Sequence, residues 1–133
     1  MTNGTIAFDT LTTSDTVKSS TEKSINTSFV LNGSAKAWIN LNGTGTIATR
    51  DTFNIASTVD NGTGNYDAIF TNIMSDANYS STGTCAHDIP ISANRDSNFQ
   101  VVAESASQIN LNIFSNSQQD RAHVYGQVFG DLA

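Results

Sequence analysis

From Ser34 onward, apolar residues recur at every second position, the period of a strand with one buried face. Ala35, Ala37, Ile39 and Leu41 alternate with Lys36, Trp38 and Asn40, and Asn42-Gly43 follows as a hairpin-type turn. Phe53, Ile55, Ser57 and Val59 alternate next, closed by Asp60-Asn61-Gly62. Residues 66–73 read as a strand with apolar side chains on both faces, and residues 78–85 as one rich in Tyr, Ser and Thr. Phe99, Val101 and Ala103 alternate, and Ile109-Asn110-Leu111-Asn112-Ile113 is the cleanest period-2 pattern in the chain. Residues 123–129 give a last strand that ends at Gly130. With short runs at 45–50 and 89–92, the pattern predicts about nine strands at the spacing of a sandwich or barrel. We expect an all-β domain over residues 34–133, an antiparallel, jelly-roll-like β-sandwich.

Residues 1–33 have a different texture: polar, dense in Thr and Ser, with scattered apolar positions. Ser19-Ser20-Thr21-Glu22 has the form of a capping box, and Ile25 and Phe29 lie four apart on one helical face. This predicts a short helix over residues 20–31, ended by Asn32-Gly33. A single amphipathic helix on a polar leader cannot bury its own apolar face. It needs a second copy of the chain or another protein, and Phe8, Leu11, Ile25 and Phe29 are the candidate contacts.

Composition supports the β reading and narrows the function. The 133 residues include 17 Thr, 16 Ser and 15 Asn but only two Glu, three Lys and one Pro, a mixture suited to strands and turns. Net charge is −6, so no basic face is expected for nucleic acid and no charge-driven docking on an anionic membrane. No apolar run reaches the length of a membrane helix. The N-terminus lacks the pattern of a signal peptide, and the lone Cys85 can form no internal disulfide. Six Asn-x-Ser/Thr sequons, from Asn3 to Asn78, read as turn chemistry.

The patterns that could carry chemistry are weak. Gly43-x-Gly45-x-x-Ala48 has the spacing of a dinucleotide fingerprint, but residues 49–55 alternate like a strand where a helix is required. His87-Asp88 with the distant His123 could hold a metal, particularly where copies meet on an axis, but ordinary hydrogen bonding is the better reading. Asn94-Arg95-Asp96-Ser97-Asn98 is oxygen-rich but lacks the carboxylate spacing of a calcium loop. Glu22 and Glu104 are the only glutamates, and no nucleophile-elbow context surrounds any serine. The chain is not expected to be an enzyme, nor to carry a resident cofactor or metal.

Residues 32–46, Asn-Gly-Ser-Ala-Lys-Ala-Trp-Ile-Asn-Leu-Asn-Gly-Thr-Gly-Thr, resemble the N-G-x-A-K-A-W-x-x-x-N-G-T-G-T segment of tail-fibre and related virion proteins of tailed bacteriophages, including cyanobacterial and marine phages. The likeness continues over residues 53–66, resumes at Ala77-Asn78-Tyr79 and at Val128-Phe129-Gly130-Asp131, and extends to the leader at residues 9–15. It implies a homotrimeric β-rich fibre or fibre tip in the virion. Residues 1–33 would attach to a baseplate, tail or other virion protein, or trimerise. Residues 34–133 would meet a glycan or protein on the host surface. Trp38 and the Asn-Gly turns would define the sandwich, and no catalytic residue belongs to the motif. On this reading, specificity resides in the loops of the divergent stretches 83–98 and 104–121. Its candidate contacts are His87, Asp88, Asn94, Arg95, Asp96, Asn98, Asn116, Gln118 and Arg121. The negative charge favours a neutral sugar or a protein as receptor, or divalent cations as bridges. The alternatives are a virion decoration or adaptor protein without a receptor role and, less favoured, a polysaccharide depolymerase.

Overall fold

The computed structural model describes residues 10–12, 24–87 and 98–133, and the chain divides into two units, residues 1–34 and 35–133. In the first, β1 (Thr10–Thr12) pairs antiparallel with β2 (Ser24–Asn26), placing Leu11 opposite Ile25. A seven-residue helix, α1 (Thr27–Gly33), follows directly. It begins where Asn26 can cap it: Asn26 Oδ1 accepts from the Ser28 amide at 3.0 Å. The helix therefore occupies Thr27–Gly33 rather than 20–31, and Ile25 belongs to a strand. The expected glycine cap is replaced by Ser34, extended in backbone, whose amide donates to the Val30 carbonyl. None of the helix's residues is buried, and Phe29 is 70% exposed.

The second unit consists of two antiparallel sheets. Its strands are β3 (Ala35–Asn42), β4 (Ala48–Phe53), β5 (Ile55–Asp60), β6 (Asn65–Phe70), β7 (Ser80–Ala86), β8 (Asn98–Ser105), β9 (Gln108–Ser115), β10 (Ser117–Gln118) and β11 (His123–Phe129). One sheet runs β4-β3-β11-β7. In the other, β9 pairs with both β8 and β6, β6 pairs with β5, and β10 folds back on the end of β9. The all-β expectation holds for these residues, while the run at 89–92 lies outside the described residues.

Alternation decides the core. Ala37, Ile39 and Leu41 of β3 and Val124 and Val128 of β11 face Tyr66, Ala68 and Phe70 of β6 and Ile109, Leu111 and Ile113 of β9. All are at most 4% exposed. Trp38 has the opposite phase. It is half-buried on the outer surface of its sheet, cross-strand from Phe53 and Gln127, on the face opposite the core where the alternation with Ala37, Ile39 and Leu41 sets it. Tyr79 packs edge-on against Phe70 at 5.8 Å between ring centres. Its hydroxyl lies 2.6 Å from the Gln108 carbonyl oxygen and 2.9 Å from that of Ser105. Burial, then the charge of Glu104, pushes this phenol up to about 12.

Two local devices join the sheets. β4 and β5 are nearly one strand, broken at Asn54, whose φ of 58° turns the chain from one sheet to the other. The Asn54 amide nitrogen donates to the Lys36 and Asn72 carbonyls, while its oxygen accepts from the Asn72 amides. At the other edge β7 and β8 approach each other, with Ser81 Oγ donating to the Val101 carbonyl at 2.7 Å. Gly83 makes this approach feasible: a Cβ there would lie 2.6 Å from the Phe99 ring and 2.2 Å from the Tyr125 carbonyl oxygen.

Candidate binding surface

The loops at one end of the sandwich are tied by a polar cluster. Asp60, Gly62 and Asn65 form a hydrogen-bonded turn, and the backbone crosses φ 114° at Gly62 and 66° at Gly64. The Gly64 amide then donates to Asp120 Oδ1 at 2.8 Å. Tyr66 Oη lies 2.6 Å from the same carboxylate oxygen and 2.8 Å from the Gly43 carbonyl. Burial, reinforced by the Asp120 carboxylate, holds this phenol neutral well beyond the ordinary tyrosine range. Arg121 is only 6% exposed, its guanidinium turned onto the Asp120 carbonyl and the Gln119 side chain. It braces the loop and is not the surface contact expected for it.

With those loops braced, the outer face of β8, β9 and β6 is fixed by register. Asn98 pairs with Phe114, Gln100 with Asn112, and Val102 with Asn110; Asn112 and Asn110 pair in turn with Asn65 and Asp67. This face is rich in amides. Asn110 is consumed internally, its nitrogen donating to Asn65 Oδ1 at 2.7 Å and Asp67 Oδ1 at 2.8 Å. Glu104 is likewise engaged by the Gln108 amide. Beside them Asn98, Phe99, Gln100, Asn112 and Phe114 line an open depression of about 500 Å³, and Phe114 is 46% exposed at its rim.

The outer face of the other sheet is more aromatic. Trp38 and Phe53 are cross-strand partners, and Tyr125 stacks on His123 at 6.3 Å with 19° between the rings. The His123 Nδ1 and Tyr125 Oη lie 3.3 Å apart. Cys85, half-buried on β7, is packed against the core, and burial pushes its thiol up. No three His, Cys, Asp or Glu side chains converge on a metal-sized site among the described residues. Nor is any helix among them long and apolar enough to cross a membrane.

The residues singled out in sequence scatter. His87 is exposed at the end of β7; Asn98 is on β8; Asn116, with φ 59°, is the exposed turn between β9 and β10; Gln118 is exposed on β10. Asp88, Asn94, Arg95 and Asp96 lie outside the described residues, as does Phe8. The stretch at 104–121 is largely strand, not loop, so its outward side chains are held rigidly. Sequence reasoning passed over Gln100, Asn112 and Phe114. The signal was present, because the alternation that buries Ile113 turns Phe114 outward. The dinucleotide-like glycines sit in the β3–β4 connection and no helix follows them.

Comparison with protein-family models, with curated proteins and with solved structures finds no match to this chain.

Proposed function

We propose that the chain is a fibre or fibre-tip protein of a tailed bacteriophage that binds the host surface without cutting it. In this reading it works as a homotrimer in the virion, with residues 1–33 engaging a baseplate, tail or other virion protein. The observation that carries the reading is the division of labour along the chain. The fibre-like segment at 32–66 supplies framework, namely core positions of β3 and β6, the Asn54 corner and the Gly62–Gly64 turn. The later strands carry on their outer face a depression with an uncharged, amide-and-phenyl lining. Such a face offers hydrogen-bond donors and acceptors on a rigid support, the requirement for reversible recognition. Its two sheets of four long strands give the jelly-roll-like count. In the first unit, Phe29, Val30 and Leu31 stand exposed on a helix that buries nothing, which supports attachment or trimerisation there.

The test is competition. An excess of the purified 133-residue chain should slow adsorption of the phage that encodes it to its host, and host polysaccharide incubated with it should release no oligosaccharide. Unchanged adsorption, with antibody label confined to the head, supports a decoration protein instead. Released oligosaccharide establishes a depolymerase.

A further inference from the structure

We infer that the depression lined by Asn98, Phe99, Gln100, Asn112 and Phe114 is a binding subsite for a neutral saccharide. The inference deepens the proposal of host-surface binding and rests on it for its biological setting, but not for its chemistry.

Three features select the ligand. The first is size: about 500 Å³ lies within the roughly 300–1,000 Å³ of small-molecule sites. The second is the state of the lining amides. Neighbouring Asn110 and Glu104 already have protein partners across the sheet. The side chains of Asn98, Gln100 and Asn112 make no hydrogen bond to another group among the described residues. Each carries a planar carbonyl and NH2 pair, able to accept from one sugar hydroxyl and donate to its neighbour. The third is the phenyl ring of Phe114, directly cross-strand from Asn98 and 46% exposed, which offers an apolar face to the C–H side of a pyranose.

Charge on the described residues disfavours the obvious rivals. The lining holds no ionisable side chain, and the charged groups described on the same face, Asp67 and Glu104, are carboxylates. Among the described residues of this face, phosphate, uronic acid or sialic acid would find carboxylates and no cation to pair with. A neutral hydroxyl-rich ring meets neither penalty. Because the subsite lies across paired strands, its geometry is set before the ligand arrives, which lowers the ordering cost of binding.

The experiment is saturation-transfer NMR on the full chain with methyl glucoside, methyl galactoside, methyl mannoside and N-acetylglucosamine, with glucuronic and sialic acids as anionic arms. At least one neutral glycoside should receive magnetisation, and the acids should not. Phe114→Ser and Gln100→Ala should each weaken that binding about tenfold or more, the equivalent of one lost stacking or hydrogen-bonding contact. Phe53→Ser, on the opposite sheet, should leave it unchanged. Transfer to no neutral sugar overturns the inference, as does preference for the acids or binding that survives Phe114→Ser and Gln100→Ala together. Far-ultraviolet circular dichroism of each variant separates lost binding from lost fold. Phage-adsorption competition keeps the two readings apart. Competition retained by the Phe114→Ser variant removes the subsite from host recognition and leaves the fibre, whereas sugar binding by a protein that never competes removes the fibre and leaves the subsite.

Discussion

Tyr66 shows how one side chain can be both core and brace. Its ring fills the sandwich while its hydroxyl reaches Asp120 and the Gly43 carbonyl, so the β3–β4 loop and the segment before β11 are held by one atom. Tyr66→Phe keeps the ring and leaves those acceptors short of a donor, and should cost about 1–3 kcal/mol by urea denaturation. A loss near zero would mean that water replaces the hydroxyl and the brace is dispensable. The phenols also set a pH limit. Tyr79 ionises near 12 in the folded chain against 10.0 for the free group, and Tyr66 and Cys85 are raised in the same direction. Between those values the unfolded chain gives up its proton and the folded chain does not. Stability is therefore full below the unfolded pKa and is lost as pH rises through the folded one. Urea midpoints should fall steadily above about pH 10, and Tyr79→Phe should flatten that fall. An identical slope in the variant would assign the alkaline loss to other groups.

At the scale of the element, the decisive features are those where regular alternation stops. The register of β3, β6, β9 and β11 is legible in the sequence because inward Ile, Leu and Val recur at period two. What alternation cannot show is that β4 and β5 lie in different sheets, since Phe53, Ile55 and Val59 share one phase on either side of Asn54. The corner depends on a left-handed asparagine whose partners, Lys36 and Asn72, are each eighteen positions away. The candidate surface was hidden for a related reason. Reading variable loops as the recognition site drew attention to Arg121, which burial reassigns to bracing, and away from Phe114 on a strand. Asn54 gives a two-variant test. Asn54→Gly keeps the backbone freedom and loses the hydrogen bonds, whereas Asn54→Ala loses both. The alanine variant should be the less stable by about 1 kcal/mol, read from urea midpoints. Equal losses would show that the bonds, not the backbone turn, hold the corner. Gly83→Ala should cost more than about 2 kcal/mol, since its Cβ would meet the fixed Tyr125 carbonyl 2.2 Å away. A thermal midpoint close to wild type would show that β7 can shift outward at no cost.

On the scale of the whole molecule, the two units make different demands on their surroundings. Among the described residues the buried apolar core lies within 35–133, whose own strands form both sheets of the sandwich. By the ordinary criteria of a domain this unit should fold without residues 1–34. The described part of the first unit has the opposite character: a three-residue strand pair and a seven-residue helix, elements too short to be stable by themselves, with Phe29, Val30 and Leu31 exposed. If those side chains meet their equivalents in other copies, assembly and the order of the first unit are one equilibrium. The full chain should then scatter light as a trimer at micromolar concentration, and its stability should rise with protein concentration by mass action. A fragment of residues 35–133 should run as a monomer, with a cooperative urea transition that does not depend on concentration. Phe29→Ser in the full chain should shift it toward that monomer without altering the fragment-like transition. A monomeric full chain would remove the trimer, and a fragment that fails to unfold cooperatively would show that the sandwich needs the first unit to complete it.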